Sequence, residues 1–95
     1  LGNEGRTPYM KQFTYTITDP IGLHARLAGL LVKAAKELDS AVTVSAPGGR
    51  SAGATRLMAL MTMCVKSGET VTVTIEGGDE EASQAAMERF FRETL

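Results

Sequence analysis

Apolar and polar residues alternate along three short segments, and each alternation predicts a strand with one buried side. The first segment, FTYTIT, places Phe13, Tyr15 and Ile17 on one side and threonines on the other. Val42 and Val44 recur in the same way in AVTVSA, and TVTVTI repeats the pattern later in the chain. Threonine suits the outer side, because its branched Cβ favours an extended backbone while its hydroxyl stays solvated. The alternation therefore indicates an antiparallel sheet covered on one side only.

Three other segments have the spacing of helices. Apolar residues recur at the 3.6-residue period over about residues 25 to 38, at Leu27, Leu30, Leu31, Ala34, Ala35 and Leu38. The short apolar run TRLMALMTM predicts a second helix, which Thr55 is placed to cap. The closing segment predicts a third, capped by Asp79, with Glu80 and Glu81 near its positive end. We expect its sheet-facing side to consist of Ala82, Ala86, Met87 and Phe90.

The order of these elements predicts the fold class. PGG at 47–49 predicts a tight turn into a short strand near Arg50 to Gly53. The order is then strand, helix, two strands, short helix, strand and helix, a split βαβ arrangement with an added helix. We predict an α+β domain in which the second and third strands form a hairpin. Right-handed crossovers are expected to bring the first and fourth strands side by side in the middle of the sheet.

Composition narrows the class of protein. The chain has 95 residues, 43% apolar content and a net charge of −1, which fits one soluble domain and gives no reason to expect nucleic-acid binding. It has no apolar run long enough for a bilayer, so we expect no membrane insertion. Residues 1–9 are polar and lack the apolar region of a secretory signal, and we interpret them as a tag remnant or a disordered tail before a domain spanning 10–95. The single Cys64 forms no internal disulfide, which suits a reducing cytosol, and we expect it to be a small buried residue.

The only histidine stands in DPIGLHARLAGLL, immediately before the first predicted helix. The first amides of a helix have no intrahelical partner, and the helix dipole favours an anion there. Arg26 adds a charge with forked donors, so a phosphoryl group carried on a nitrogen of His24 would have suitable surroundings. The simpler interpretation is a loop histidine at a helix start, and the residues by themselves favour it.

Other chemistry finds little support. No second histidine or cysteine cluster completes a metal site, GGRSAGA lacks the ending of a phosphate-binding P-loop, and no base accompanies the serines. We therefore expect no metal and no cofactor. The run RLMALM has two interpretations: core packing, or an exposed and adaptable patch that includes Leu57, Met58 and Met61.

GLHARLAGLLVKAA, followed by a hairpin, the segment GGRSAGATRLMALMTMCVKSGETVTVTIEGGDEEAS and a closing helix, resembles the HPr family. These are the histidine-containing phosphocarrier proteins of the sugar phosphotransferase system. The similarity runs from about Lys11 to Leu95. It implies an open-faced β-sandwich, with a four-stranded antiparallel sheet and three helices on one face. It also implies an HPr-like domain over residues 10–95.

The resemblance assigns roles by position. His24 matches the histidine that accepts a phosphoryl group from enzyme I and passes it to IIA domains of sugar permeases, so the protein is a reactant regenerated each cycle. Arg26 matches the arginine beside the phosphate, and the amides of Ala25 and Arg26 would bind it. The family's partner-docking surface matches Gly29, Lys33, Lys36, Leu57, Met58 and Met61. The implied protein is cytoplasmic and monomeric, with transcriptional regulators as further candidate partners.

Two positions depart from the family pattern. Family members usually have proline directly after the arginine, where this chain has Leu27, and the preorganisation of the site depends on how that leucine packs. Arg56 stands where many members have a regulatory serine, so we expect no such regulation. Two alternative hypotheses follow: a divergent HPr-like module that binds a regulator with weak or no phosphotransfer, and a structural domain in which His24 only caps a helix.

Overall fold

The computed structural model describes residues 10–95, and the tail predicted over residues 1–9 lies outside them. Four strands and three helices follow one another in the predicted order. Their bounds are β1 Met10–Thr16, α1 Ala25–Lys36, β2 Ala41–Ala46, β3 Arg50–Gly53, α2 Leu57–Thr62, β4 Thr70–Glu76 and α3 Glu80–Thr94. The α+β architecture predicted from the order of the elements is therefore confirmed.

The sheet has the strand order β1-β4-β2-β3, and every neighbouring pair is antiparallel. The predicted β2–β3 hairpin and the predicted β1–β4 pairing are both present. The prediction that β1 and β4 together occupy the middle was wrong, since β1 is an edge strand and β4 and β2 are central. β4 pairs with β1 on one side and β2 on the other, so it separates the two parallel strands of the βαβ unit.

One face of the sheet holds the core. Val44 pairs with Val73 and Val42 with Ile75, and all four side chains are buried on the side that the helices cover. The other face is polar, with cross-strand hydroxyl pairs such as Thr16 with Thr70, whose oxygens lie 2.8 Å apart. All three helices therefore pack on one face, and the sandwich is open on the other.

The packing of α3 confirms the prediction for Met87 and Phe90 and contradicts it for the two alanines. Its buried positions include Ser83, Met87 and Phe91, spaced four residues apart, while Ala82 and Ala86 are exposed. Ser83 can be buried because its hydroxyl accepts a hydrogen bond of 2.8 Å from Ser40 Oγ. The ring of Phe91 makes edge contacts with three aromatic rings, those of Phe13, Tyr15 and Phe90.

The helix termini show which caps were predicted correctly. The side chain of Asp79 accepts a hydrogen bond from the Ala82 amide, as predicted for the start of α3. Arg56, and not Thr55, is the N-cap of α2, and its side chain makes no capping hydrogen bond. The first helix ends at Lys36, two residues before the predicted end at 38.

Candidate functional site

The N-terminus of α1 is the candidate anion site. His24 is its N-cap residue, with an extended backbone, and its side chain makes no capping hydrogen bond. The first hydrogen bond of the helix runs from the Ala28 amide to the His24 carbonyl at 2.8 Å, so the amides before Ala28 have no intrahelical partner. The imidazole is 28% exposed. A partly exposed imidazole thus lies beside helix amides to which it makes no hydrogen bond.

The start of α3 differs from that of α1. The first turn of α3 carries Glu80 and Glu81, and the carboxylate of Asp79 caps it. The first turn of α1 has no acidic residue, and Arg26 contributes a cation there. Because carboxylates compete with an external anion for a helix N-terminus, α1 is suited to bind one and α3 is not.

Asp19 lies beside the imidazole and was not identified from the sequence. Its Oδ1 is 3.9 Å from His24 Nε2 and accepts a hydrogen bond of 2.9 Å from the Ile21 amide. The distance to the ring is too long for a direct hydrogen bond, but it is within range of an ion pair when the imidazole is protonated. The carboxylate faces Nε2, and this distinguishes the two ring nitrogens.

The loop before α1 is anchored on residues 63–69, which we call the seat loop. The Leu23 amide donates to the Val65 carbonyl at 2.9 Å, and the Ile17 amide donates to the Glu69 carbonyl at 2.9 Å. Gly22, with φ of +85°, packs so closely that a Cβ there would overlap the Val65 carbonyl oxygen. The position of His24 therefore depends on a segment about forty residues further along the chain.

Leu27 replaces the proline expected from the family pattern, and it is buried with 2% of its surface exposed. It packs in the core cluster, and α1 still begins at Ala25. The side chain thus fixes the first turn through packing. Proline would fix the same turn through its preset backbone angle.

An apolar surface lies beside His24, on α1, on α2 and on the loop that leads to α1. Leu57, Met58 and Met61, which the family resemblance predicts to contact partners, are 40%, 73% and 37% exposed. The structure adds two exposed apolar residues that were not predicted for docking: Ile21 is 72% exposed, and Leu30, expected in the core, is 39% exposed. We call Ile21, Leu30, Leu57, Met58 and Met61 the apolar patch.

The other residues predicted for docking lie on the same helix as Leu30. Lys33 and Lys36 are exposed, Gly29 is half-buried, and a Cβ at Gly29 would meet no neighbouring atom. Their helix, α1, packs directly against α2, the helix that carries Met58. The residues predicted for docking therefore lie on two helices that contact each other.

Cys64 was expected to be buried, and that expectation was wrong. The residue is exposed and has a positive φ of +53°. It follows the C-cap residue of α2, a place where helices commonly end in a left-handed residue, and its amide donates to the Met61 carbonyl at 3.2 Å. Its position is thus set by the helix end and not by burial of its side chain.

Two negative findings apply to residues 10–95. Within them, no three side chains of His, Cys, Asp or Glu converge as metal ligands. Across the same range, no helix is both long and apolar enough to cross a membrane.

The fold and the site define a small α+β domain that presents a histidine at an uncapped helix N-terminus. The family model described as the PTS HPr component phosphorylation site matches residues 11–93. A phosphocarrier protein HPr of Mycoplasma genitalium is 33% identical over 78 residues, which cover 82% of this chain and 89% of that protein. One from Xylella fastidiosa is 32% identical over 82 residues, covering 86% of this chain and 91% of that protein.

Solved structures give the same result. A mycoplasma histidine-containing phosphocarrier protein has a TM-score of 0.83 at 31% identity, covering 88% of this chain and 94% of that chain. HPr-C-His from Thermoanaerobacter tengcongensis has a TM-score of 0.81 at 31% identity, with coverage of 88% and 93%. The chain therefore belongs to the HPr family, the phosphocarriers of the phosphotransferase system.

Proposed function

We propose that His24 accepts a phosphoryl group from phosphorylated enzyme I and passes it to IIA domains of sugar permeases. The observation that carries this proposal is the start of α1, where the N-cap residue has a partly exposed imidazole that makes no hydrogen bond to the free amides of the first turn. Membership of the HPr family supplies the class of chemistry. Since the chain has one histidine, a phosphohistidine has only one position available.

The nitrogen that takes the phosphoryl group is Nδ1 in this proposal, because the Asp19 carboxylate faces Nε2. The Nδ1 lone pair attacks the phosphorus of the donor's phosphohistidine, and the bond from phosphorus to the donor nitrogen breaks. The electron pair of that bond stays on the donor ring. Transfer to a IIA domain repeats the same displacement with His24 as the donor.

In this proposal the charge of the phosphoryl group is stabilised by backbone amides and by an arginine in the first turn of α1. The amides of Ala25 and Arg26 belong to the first turn, whose N–H groups have no intrahelical partner. The Arg26 guanidinium supplies a full positive charge with forked donors. Positioning and electrostatic stabilisation are therefore what the protein contributes, and it is regenerated in each cycle.

The apolar patch is the surface on which enzyme I and IIA domains dock in this proposal. Its most exposed members, Ile21 and Met58, flank the site from different elements, and methionine adapts to partners of different shape. Lys33 and Lys36 add positive charge beside it, which favours partners with an acidic rim. Transcriptional regulators with the same surface chemistry are further candidates.

The remaining proposals concern setting and regulation. We place the protein in the cytoplasm as a monomer that forms transient complexes, in keeping with its family. Arg56 at the N-cap of α2 offers no hydroxyl for a kinase, so we expect no serine-type regulation at that position.

The test is incubation with enzyme I and labelled phosphoenolpyruvate. We expect a label that is lost in acid and stable in alkali, and that His24→Ala abolishes. A folded wild-type protein that takes no label from several enzyme I homologues would contradict the proposal.

Arg26→Ala tests the stabilising charge. We expect the rate of label uptake to fall roughly tenfold or more, because one charge-assisted contact to the transition state is lost. Arg89→Ala is the matched control, since Arg89 is an exposed arginine on α3 paired only at 4.0 Å with Glu93. An equal effect of both substitutions would indicate a general charge effect and would argue against a specific role of Arg26.

A further inference from the structure

Arg50 connects three parts of the molecule outside the phosphoryl site. It lies on the inner face of the edge strand β3, opposite Ala46. Its Nε donates to the Pro47 carbonyl at 2.9 Å, its Nη1 to the Met63 carbonyl at 2.7 Å, and its Nη2 to Glu69 Oε2 at 2.7 Å. One guanidinium thus joins the β2–β3 turn, the end of α2 and the seat loop.

Glu69 uses both carboxylate oxygens in this contact. Oε2 binds Arg50, and Oε1 accepts a hydrogen bond of 2.9 Å from the Lys66 amide within the seat loop. The Lys66 backbone hydrogen bond, followed by the Arg50 side chain, lowers the pKa of Glu69 from its ordinary 4.5. The carboxylate therefore stays ionised at neutral pH and closes the seat loop on itself.

The same loop carries the segment that presents His24. The Leu23 amide bonds to Val65, the Ile17 amide to the Glu69 carbonyl, and the Gly68 amide returns a bond of 2.8 Å to the Ile17 carbonyl. Any shift of the seat loop would move these three hydrogen bonds. The Arg50 contact to Met63 also fixes the C-terminal end of α2, the helix that carries Met58.

We propose that Arg50 and Glu69 are positioning residues for phosphoryl transfer, which hold the seat loop so that His24 and the docking helix keep a fixed relation. This inference rests on the proposed function. The hydrogen bonds of both residues go to the β2–β3 turn, to the end of α2 and to the seat loop, and neither residue is assigned a contact with the phosphoryl group. They act through the Val65–Leu23 hydrogen bond and through the end of α2.

The test compares Arg50→Gln and Glu69→Gln with the control Arg89→Gln, whose exposed pair with Glu93 is distant from the seat loop in sequence. Amide hydrogen exchange at Leu23 reports the loop directly, and exchange at Val73, in the central strand β4, reports whether the fold is intact. We expect Leu23 to exchange about tenfold faster or more in both variants, with Val73 unchanged. In the control both amides exchange as in wild type.

Label uptake from phosphorylated enzyme I supplies the functional measurement. We expect kcat to fall roughly tenfold or more in both variants while the KM for the donor protein changes less, because misplacement of the nucleophile affects the reaction step. Arg50→Lys keeps the charge but not the fork, so it is expected to recover part of the rate. Glu69→Gln is nearly isosteric, so it supplies a folded test protein if Val73 exchange shows that Arg50→Gln is unfolded.

The outcomes separate the two proposals. Labelling of both glutamine variants at the wild-type rate, with Leu23 exchanging as before, would overturn this inference alone. A wild-type protein that takes no label would overturn the proposed function. Equal losses of rate in both variants and in Arg89→Gln would also overturn the inference, since the effect would then not belong to the seat loop.

Discussion

Replacing Gly22 with alanine is predicted to loosen the loop that carries His24. A residue with a Cβ adopts a positive φ at a cost of about 1–2 kcal/mol, and Gly22 has φ of +85°. The added Cβ would also overlap the Val65 carbonyl oxygen and lie 2.8 Å from Lys66 Cα, both of them backbone atoms that move only with the seat loop. Overpacking of this kind costs about 1–3 kcal/mol, so we expect a total loss of about 2–5 kcal/mol.

Gly48→Ala separates the two contributions. Gly48 has φ of +87°, but a Cβ there would meet no atom within 4 Å. The control therefore carries only the backbone cost of about 1–2 kcal/mol. Urea unfolding of both variants measures the difference in free energy of unfolding, and label uptake from phosphorylated enzyme I measures the effect on His24.

We expect Gly22→Ala to be the less stable of the two variants and the only one that takes label slowly. If Gly22→Ala lost no more stability than Gly48→Ala and were labelled at the wild-type rate, the close contact of Gly22 with the seat loop would not position His24.

Three further predictions concern Leu27, Met58 and Glu69. Leu27→Pro removes no helical hydrogen bond, but it removes about one buried methyl equivalent, so we expect the free energy of unfolding in urea to fall by about 1 kcal/mol. We expect the labelling rate to stay within about threefold of wild type. A large gain in rate would instead support the hypothesis of a divergent module. Met58→Asp should raise the KM for the donor protein roughly tenfold, because it removes an apolar docking contact. The free energy of unfolding should change by no more than about 0.5 kcal/mol, because the side chain is 73% exposed. An unchanged KM would contradict the role of Met58 in docking. The pKa of Glu69 in the folded protein is lowered, mainly by the hydrogen bond from the Lys66 amide and then by Arg50. The wild type is therefore expected to be more stable than Glu69→Gln above pH 4.5, the ordinary pKa of the group, and this difference in stability declines as the pH falls through the lowered pKa. Urea midpoints from about pH 6 to about pH 3 test this, and a difference that stays constant over that range would be inconsistent with it.

The elements were predictable from the sequence because each depends on a local pattern. Alternation in FTYTIT and TVTVTI determined which side of β1 and β4 is buried, and the bounds of β3 agree with the predicted Arg50 to Gly53. The position of β1 at the edge was not predictable in this way. A period of two gives the side that a residue faces, but it does not tell which strands are neighbours.

Side-chain burial was predicted less well where polarity and position disagree. Ser83 is polar by type and was omitted from the buried face of α3, yet its hydroxyl is paired with Ser40 and it is 2% exposed. Leu30 follows the apolar period of α1 and yet is part of the apolar patch. Ser83 is buried because its partner Ser40 lies outside α3, and Leu30 is exposed because the neighbouring elements leave it partly uncovered; periodicity within one helix predicts neither result.

The candidate site was predictable only where a local sequence pattern marks it. His24 at the start of α1 follows from its place before a periodic run, and the structure confirms the cap position. No local sequence pattern pointed to Asp19 or to the Arg50–Glu69 pair. Their importance arises from contacts between segments that are distant in the sequence, and only the folded chain brings those segments together.

Cys64 provides a practical route to observing this site. It is the only cysteine in the chain, it is exposed, and it directly precedes Val65, which accepts the Leu23 hydrogen bond. A thiol-reactive fluorophore would therefore attach at one defined position without any substitution. Its emission would report the arrival of a partner at the apolar patch in real time, in the native sequence and without radioactive label.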